Sequence, residues 1–546
     1  MVCAPCAGSV VYVAITYLPI GDRGADLSWE RRDREVDELT RAAEPVDLVV
    51  VGGGITGTGV ALDAASRGLR TVLIERRDLA FGTSRWSSKL VHGGLRYLAT
   101  GHVDVAWESA VERGILMTRI APHLVRALPQ VVPVMSDTPP TSAALTRMGF
   151  LAGDMLRAGA RTKASVLPPA HWISATRVRA VAPGIDGSNL RGGIMAWDGQ
   201  LVDDARLVVA AARTAAAMGA HIITRAEAIE ITGEGVRVRD SAHGTEFDIP
   251  AREVIAATGV WAGELDPRVH VHPSRGTHVI FDARKLGNPH AALTIPVPEL
   301  SGRYCFLLPR PDGTVLAGIT DVGVDEISAV PTAPAEDIDW IIAQVNRVLK
   351  QPVTRADVLG TFAGLRPLVT LGSAAEGSTS DISRKHLVSR SPDNVVTVTG
   401  GKLTTYRRMA QDAVDEITDI PCRTKNIALI GASPNTPQRA PGFFDPNPWV
   451  MRYGAEAERV RSLARLLPDP ASALTPVAEH TSVARVDIAH AYLHEGARDA
   501  DDIIERRLRL SDIDADLPAA RAAVQETLLA LGVSDADCVD QSAGAH

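Results

Sequence analysis

The chain has 546 residues, of which 45% are hydrophobic and 22% are charged, and its formal net charge at pH 7 is −8. This length exceeds that of a single hydrophobic core, so we expect two or three domains, and the composition argues against a disordered or coiled-coil chain. The negative net charge gives no long-range attraction to polyphosphate, which argues against a nucleic-acid partner.

The cysteines indicate a reducing compartment. There are five of them, too few and too scattered for a disulfide framework. Cys3 and Cys6 form a CxxC pair, but no second pair lies nearby to complete a zinc site. We therefore expect a cytoplasmic protein without a bound metal.

The N-terminal 44 residues combine an apolar and a charged part. Residues 2–21 carry no charge, but no basic residue precedes them, two prolines interrupt them and their apolar core is too short to span a bilayer. The stretch Asp22–Glu44 is dense in charge and is typical of a linker. We therefore interpret residues 1–44 as a disordered extension, and expect a deletion up to about Arg34 to leave folding intact.

A βαβ unit begins near Asp47. The sequence LVVV predicts a short buried strand, Ile55–Arg67 a helix that Gly68 ends, and Thr71–Glu75 a second strand. This unit is the entry into a doubly wound α/β sheet.

The turn GGGITGTG between strand and helix predicts a dinucleotide site. Gly52 permits the tight bend, Gly54 lets the backbone approach a pyrophosphate, and Gly57 lets helix and strand pack closely. The N-terminus of the helix then offers free N–H groups to the phosphates. Glu75 lies 18 residues after Gly57. A carboxylate at this position accepts hydrogen bonds from the ribose hydroxyls and would repel a 2′-phosphate. A plain strand-to-helix turn remains the alternative.

The next segment favours FAD over NAD. An NAD-dependent dehydrogenase would continue with regular βαβ alternation, whereas this chain enters the polar, glycine-rich segment TSRWSSKLVHGGLRYL, Thr83–Leu98. A segment without helical or strand periodicity suits an extended loop that holds an isoalloxazine ring.

Later elements complete an α/β (α+β) fold. Val254–Ala257 and Val395–Thr399 predict strands that return to the first sheet, and the β-branched runs between them, such as His270–Arg284, predict an inserted antiparallel domain. After Cys422 the pattern turns helical. The predicted units are a Rossmann-like FAD-dependent oxidoreductase at 45–420, with FAD-binding segments at about 45–125, 195–262 and 360–420, an antiparallel-sheet substrate domain at about 126–194 and 263–359, and a C-terminal α-helical domain at 440–540.

From Asp47 to about Leu510 the sequence resembles the FAD-dependent glycerol-3-phosphate dehydrogenase family, of the quinone-linked type, within the D-amino-acid-oxidase-like flavoproteins. The most specific motif is SSKLVHGGLRYL (Ser87–Leu98). The others are WDGQLVDDARL (197–207), ATGVWA (257–262), SRGTHVIF (274–281), AGLRPL (363–368), ISRKH (382–386), GGKLTTYR (400–407), and in the helical tail RYG (452–454) and HEGARDADDIIERRLRL (494–510). Arg85 and Trp86 replace residues that are smaller in the family.

The resemblance implies a reaction and its partners. FAD would oxidise sn-glycerol 3-phosphate to dihydroxyacetone phosphate by hydride transfer from C2 to flavin N5, and electrons would pass to a membrane quinone. Because no internal run holds about 20 apolar residues, contact with the inner face of the cytoplasmic membrane would be peripheral. A homodimer is a further expectation. A soluble oxidase that uses oxygen, a non-catalytic flavin-binding protein and an amine oxidase remain alternatives.

The resemblance also places the substrate site. A dianionic phosphate calls for guanidinium groups, and four arginines lie in family motifs at the phosphate end of the pocket, although a surface ion pair is the alternative for any one of them. These are Arg96, Arg303, Arg366 and Arg384, and the predicted substrate site also contains Tyr97, His278, Lys402 and Thr404. Loss of the C2 hydroxyl proton requires a base, for which His278 and His92 are the candidates. We assign this role to His278, with His92 as the alternative and with Arg366 and Lys402 as the other catalytic residues.

The predicted cofactor site combines the dinucleotide turn with the two glycine-rich motifs. The backbone from Gly400 to Thr404 opens a helix that would face flavin N1 and O2, and His92 would touch the flavin. The full predicted set is Gly52, Gly53, Gly54, Ile55, Thr56, Gly57, Glu75, Thr83, Ser84, Ser87, Ser88, Lys89, His92, Gly94, Gly259, Gly400, Gly401, Leu403 and Thr404. Asp203 and Asp204 are interpreted as helix-capping residues and stay outside the site.

Overall fold

The computed structural model describes residues 14–42, 44–94, 102–298, 303–371, 385–436, 440–442 and 445–534. Across these residues, no helix combines the length and the apolar character needed to cross a membrane. The α-helices found there are α1 (Trp29–Arg41), α2 (Ile55–Ser66), α3 (Val103–Ile115), α4 (Pro140–Gly159), α5 (Ala175–Val181), α6 (Asp204–Ala217), α7 (Ala262–Leu265), α8 (Ala335–Asn346), α9 (Tyr406–Asp415), α10 (Pro448–Tyr453), α11 (Ala457–Ser462), α12 (Arg485–His494) and α13 (Leu517–Ala530).

The strands form two sheets. They are β1 (Val46–Val51), β2 (Thr71–Glu75), β3 (Leu90–Val91), β4 (Val125–Met135), β5 (His171–Ser174), β6 (Leu190–Leu201), β7 (His221–Thr224), β8 (Ala226–Thr232), β9 (Gly235–Asp240), β10 (Thr245–Ala256), β11 (Val269–Asp282), β12 (Ala292–Pro296), β13 (Tyr304–Pro309), β14 (Thr314–Gly318), β15 (Val322–Gly323), β16 (Val358–Leu371), β17 (His386–Arg390) and β18 (Val395–Gly400).

The first sheet has the main order β17-β18-β10-β1-β2-β7, in which all pairs are parallel except β17–β18. β9 pairs antiparallel with β10 and with β8 at the side of this path. β1 pairs with β10, with Val49 opposite Val254, and β10 pairs with β18, with Ile255 opposite Val396. β1 is buried on both faces because Leu48 and Val50 pack into one core and Val49 and Val51 into another. The predicted doubly wound sheet with returning strands is confirmed.

The second sheet is mostly antiparallel, as predicted. Its order is β15-β11-β14-β13-β12-β4-β6-β3, with β16 also paired to β11 and β5 to β6. The long pair β11–β16 carries two of the predicted motifs in register, with Ser274 opposite Arg366. This pairing brings the SRGTHVIF and AGLRPL motifs side by side.

The C-terminal helices dock on the first sheet's domain through buried ion pairs. Asp78 accepts hydrogen bonds at 2.7 Å from both Arg506 and Arg507. Burial alone would raise the pKa of the Asp78 carboxyl, but the two guanidinium groups hold that pKa well below its usual range. Arg213 pairs with Glu456 at 2.7 Å in the same interface. Buried ion pairs with little access to water therefore hold the helical domain against the nucleotide-binding domain.

The linker prediction for Asp22–Glu44 is wrong for the residues that the structure describes. Ser28 caps α1 by accepting a hydrogen bond from the backbone of Arg31, and Leu39 packs into the core beneath the first sheet. Arg32 binds the buried Asp240 with two hydrogen bonds of 2.7 and 2.8 Å. The charge density misled the sequence analysis because these charges lie on one amphipathic helix whose partners are about 200 residues away.

We expect Arg32→Ala to destabilise the protein by about 3–5 kcal/mol, because it leaves Asp240 buried without its partner. Thermal unfolding of the holoenzyme measures the effect. Arg41→Ala is the matched control, since Arg41 pairs with Asp37 on the exposed face of the same helix. Equal melting temperatures for the two variants would mean that the Arg32–Asp240 pair contributes nothing to stability.

Candidate active site

A cavity of about 1170 Å³ opens where the carboxyl ends of the parallel strands meet the second sheet. Gly52 follows β1, Glu75 ends β2, Thr258 follows β10 and Gly400 ends β18, and all four line the cavity. Crevices at this edge of open α/β sheets are the usual place for ligands. The volume exceeds that of ordinary small-molecule pockets, about 300–1,000 Å³, which leaves room for a dinucleotide together with a substrate.

The glycines of the first turn let α2 point into this cavity. Gly52 has φ +114°, which favours glycine, and a Cβ on Gly57 would lie 1.9 Å from the Gly52 carbonyl oxygen. A Cβ on Gly54 would meet only Ser84 Oγ, at 3.2 Å. The Ile55 N–H donates to the same Ser84 hydroxyl at 2.9 Å. The helix N-terminus is therefore open to an anion at the position predicted for the pyrophosphate.

Glu75 is held in place at one end of the cavity. Its carboxylate accepts hydrogen bonds from the backbone N–H of Gly53 at 2.7 Å and of Arg77 at 2.8 Å. Burial raises its pKa, and these two bonds oppose that rise. Trp261 also lines the cavity, and the Arg76 guanidinium lies over its ring, 5.1 Å from the ring centroid.

The GGKLTT motif forms the opposite end of the cavity. Gly400 and Gly401 have φ values of +79° and +67°, and a Cβ on Gly401 would lie 2.6 Å from Met409 Sδ. These two residues turn the chain from β18 into the short 3₁₀ segment Leu403–Thr405 that leads into α9. The Thr404 hydroxyl accepts a hydrogen bond of 3.3 Å from the backbone of His92. The two predicted flavin motifs thus meet at one wall.

These observations fit FAD. The α2 N-terminus and Glu75 suit the diphosphate and a ribose, and the close-packed glycines leave their backbone accessible. Most of the predicted cofactor residues line the cavity: Gly52, Gly54, Ile55, Thr56, Glu75, Thr83, Ser84, Ser87, Ser88, His92, Gly259, Gly400, Gly401, Leu403 and Thr404.

Three of the predicted basic side chains line the cavity. Arg366 donates to Ser274 Oγ and to Asp321 Oδ1, both at 3.3 Å, and to the Thr320 carbonyl at 3.1 Å. Arg303 lies 4.0 Å from the same Asp321 carboxylate. Lys402 Nζ donates to Ser109 Oγ at 2.8 Å. Arg303, Arg366 and Lys402 all line the cavity, so the structure brings these predicted residues together.

His278 does not line the cavity, although a base that acts by direct contact with the substrate would have to. Its side chain is 1% exposed and stacks on Phe362 with ring centroids 4.7 Å apart. Its Nε2 lies 2.9 Å from Ser88 Oγ, and Ser88 does line the cavity. Burial, reinforced by the charges of Lys89 and Arg366, lowers the pKa of His278 well below 6.5. The ring therefore reaches the cavity only through the Ser88 hydroxyl.

His92 lines the cavity, and a backbone hydrogen bond sets the tautomer of its ring. Its Nδ1 accepts the backbone N–H of Gly94 at 3.2 Å, so in the neutral ring the proton resides on Nε2. This tautomer suits donation to an oxygen of a ligand and does not suit removal of a proton.

Lys89, which is predicted to bind the cofactor, is not among the residues that line the cavity. It has φ +57°, and its buried Nζ pairs with Asp204 at 3.2 Å, away from the cavity. Asp204 also accepts hydrogen bonds of 2.7 Å from the backbone and hydroxyl of Ser87, while Asp203 caps α6 at Ala205. Asp204 therefore holds Ser87 and Lys89 in place, a contact that its position at the start of α6 did not indicate.

The remaining predicted residues divide into two groups. Gly53, Gly57 and Gly94 lie beside the cavity and act through their backbones. Arg96, Tyr97 and Arg384 lie outside the described residues. The sequence analysis missed Asp321, which accepts a hydrogen bond from Arg366 and lies 4.0 Å from Arg303, and the wall formed by Thr146, Gly149 and Phe150 of α4. No motif marked α4, and Asp321 resembles any polar residue after a strand.

Two families match the chain. The family described as "FAD dependent oxidoreductase" matches residues 47–406, and the one described as "C-terminal domain of alpha-glycerophosphate oxidase" matches residues 422–537. Together they extend over both the sheet domains and the helical domain.

Individual proteins resemble the chain over nearly its whole length. Glycerol-3-phosphate dehydrogenase 1 of Mycobacterium tuberculosis is 48% identical over 514 residues, covering 92% of this chain and 98% of the relative. Glycerol-3-phosphate dehydrogenase 2 of the same organism is 36% identical over 495 residues, covering 86% and 81%. The crystal structure of the glycerol-3-phosphate dehydrogenase from Bacillus halodurans, complexed with FAD, superposes with a TM-score of 0.70 at 25% identity, covering 93% and 95%.

Proposed function

The chain belongs to the FAD-dependent glycerol-3-phosphate dehydrogenase family, and on this premise we propose that it oxidises sn-glycerol 3-phosphate to dihydroxyacetone phosphate and passes the electrons to a membrane quinone. One observation supports the substrate above all others. Arg303, Arg366 and Lys402 line the same cavity as the α2 N-terminus and Glu75, which suit the adenosine half of FAD.

The basic residues would hold and orient the substrate. Asp321 accepts a hydrogen bond from Arg366 and lies 4.0 Å from Arg303, so the Arg366 guanidinium is held before a ligand arrives and less entropy is lost on binding. A phosphate dianion suits their fork geometry, and Lys402 adds a point charge. FAD, when bound, supplies the acceptor for the hydride that leaves C2. The α9 N-terminus and the His92 Nε2–H would stabilise negative charge at the flavin end.

The proton of the C2 hydroxyl would leave through Ser88 to His278. Ser88 stands in the cavity wall and can donate to His278 Nε2 while it accepts from the substrate hydroxyl. The low pKa of His278 opposes this transfer in the absence of substrate. A dianion against Arg366 would offset one of the positive charges that depress that pKa. His278 thus remains the proposed base, acting through a hydroxyl rather than by contact.

We expect Ser88→Ala and His278→Ala each to slow flavin reduction by about 10²-fold or more, and the double variant to be no slower than the worse single variant. Anaerobic rapid mixing with glycerol 3-phosphate measures the rates, and flavin content should stay normal. His272→Ala on the same strand is the control, because His272 bonds Thr370 outside the cavity. A Ser88→Ala enzyme that is reduced at the wild-type rate would exclude the relay.

The central test is anaerobic reduction of the purified yellow holoenzyme. Glycerol 3-phosphate should bleach the visible flavin band stoichiometrically, whereas glycerol and glycine should not. No bleaching by glycerol 3-phosphate would overturn the proposed substrate, and bleaching by glycine would favour an amine oxidase.

The acceptor is tested separately on the reduced enzyme. A soluble quinone analogue should reoxidise the flavin much faster than dissolved oxygen does. Rapid reoxidation by oxygen with release of peroxide would identify the alternative, a soluble oxidase.

A further inference from the structure

Three consecutive residues of the helical domain contact one short segment of the nucleotide-binding domain. Arg507 binds both oxygens of the Asp78 carboxylate with two hydrogen bonds of 2.7 Å, and Arg506 Nε binds one of the same oxygens at 2.7 Å. Glu505 accepts a hydrogen bond of 3.2 Å from Arg85. We call these three residues of the helical domain the clamp.

The segment that the clamp contacts, residues 78–85, forms part of the cavity wall. Its cavity-lining members are Phe81, Gly82, Thr83 and Ser84. Ser84 Oγ also accepts the Ile55 N–H at 2.9 Å, beside the α2 N-terminus that suits the diphosphate of FAD. We call residues 78–85 the clamped segment.

The clamped segment also supports the turn that holds Glu75. The Ala80 N–H donates to the Gly53 carbonyl at 3.0 Å, and the Gly53 N–H donates to the Glu75 carboxylate at 2.7 Å. Ala80 has φ +60°, a left-handed conformation that is unfavourable for a residue with a Cβ. Such a conformation persists only where surrounding contacts fix it, and the bonds to Asp78 lie two residues before it.

The clamp acts from outside the cavity. Neither Asp78 nor the three clamp residues line the cavity, and Asp78 and Arg507 are each 1% exposed. An effect of these charges on the cofactor must therefore pass through the clamped segment. Because a buried carboxylate without its partner is strongly unfavourable, Asp78 stays where the two arginines hold it.

Arg85 joins the clamp to two aromatic side chains of the cavity wall. Its guanidinium lies 4.1 Å from the centroid of the Trp86 ring and 5.3 Å from that of Phe81. Both rings line the cavity. A smaller residue, as the family carries at this position, could not reach Glu505. The bond between Arg85 and Glu505 therefore strengthens the contact between the helical domain and the flavin loop in this chain.

We propose that the helical domain retains FAD in the enzyme, because the clamp keeps the clamped segment in its cofactor-binding conformation. Bound FAD and the docked helical domain then stabilise each other, since such coupling is reciprocal. Glu505, Arg506 and Arg507 are positioning residues that never touch the cofactor. This role concerns FAD alone and holds whichever substrate the enzyme oxidises.

The same domain interface contains a matched control. Arg213 binds the Glu456 carboxylate with two hydrogen bonds of 2.7 and 3.1 Å, and both residues are buried. A further hydrogen bond of Arg213 goes to the Ala25 carbonyl, and neither residue lines the cavity. Loss of this pair should weaken the interface without disturbing the clamped segment.

The test is the release of FAD from the full-length holoenzyme after dilution, followed by the rise in flavin fluorescence. Asp78→Asn should release FAD about tenfold faster than the wild type or more, because charged hydrogen bonds are lost. Glu505→Ala should release it about threefold faster, since Glu505 is partly exposed. Glu456→Gln should lower the melting temperature as Asp78→Asn does, while its FAD release stays at the wild-type rate.

Two outcomes would overturn the clamp. One is a wild-type release rate in either Asp78→Asn or Glu505→Ala. The other is equal acceleration in Glu456→Gln, which would mean that any loosening of the domain interface frees FAD. If Asp78→Asn does not fold, Glu505→Ala decides alone. Reduction by glycerol 3-phosphate plays no part in this assay, so its failure would leave the proposed substrate standing.

Discussion

Replacing Arg366 with alanine should lower kcat/KM for glycerol 3-phosphate by about 10- to 100-fold or more, with normal flavin content. The variant loses a charged hydrogen-bond donor, worth about 1.5–3 kcal/mol toward a phosphate. The kcat/KM of Arg366→Lys should lie between those of the wild type and Arg366→Ala, because lysine keeps the positive charge and loses the guanidinium fork. Steady-state kinetics with a quinone analogue provide the measurement.

Arg355→Ala controls for the loss of an arginine elsewhere, since Arg355 forms an exposed pair with Asp339. If Arg366→Ala and Arg355→Ala show the same kinetics, the phosphate role of Arg366 is wrong. A loss of flavin in Arg366→Ala would instead mean that the Arg366–Asp321 pair supports the cofactor cavity as a whole.

Replacing Gly57 with alanine should abolish FAD binding. The added Cβ would lie 1.9 Å from the Gly52 carbonyl oxygen, a backbone atom that cannot move without opening the turn at the α2 N-terminus. The purified protein should therefore be colourless and inactive. The ratio of flavin to protein absorbance measures the effect.

Gly68→Ala separates this effect from a general loss of stability. Gly68 follows the same helix at φ +90°, and its Cβ would meet nothing within 4 Å. The left-handed conformation costs alanine roughly 1–2 kcal/mol, so the melting temperature should fall while FAD remains bound. A yellow Gly57→Ala protein would show that the close packing of α2 on β1 is dispensable for the cofactor.

The sequence predicted those parts of the fold whose pattern is local. The turn between β1 and α2, the ends of β2 and the return of β18 all follow from short runs of apolar residues and glycines. The helix Leu517–Ala530 likewise carries local signals in its sequence, with Asp516 and Pro518 at its start and Gly532, which has φ +86°, after its end.

The missed features depend on distant partners. α1 was interpreted as a linker because Asp240, which binds Arg32, is remote in sequence. His278 was placed in direct contact with substrate because nothing in its motif indicates that Ser88 stands in between. Arg85, one of the departures from the family, is buried between aromatic rings and faces Glu505 of the helical domain at 3.2 Å.

The pairing of β1 with β10 and of β10 with β18 also constrains the order in which the molecule can form. β1 leaves the ribosome about 200 residues before β10, its neighbour, and β18 follows after about 140 more. Until then the edges of the apolar strands β1 and β2 remain without their permanent neighbours, and such edges are prone to association. Chains that stop before Val395 should therefore collect in aggregates, and flavin should enter only after synthesis has passed the GGKLTT turn.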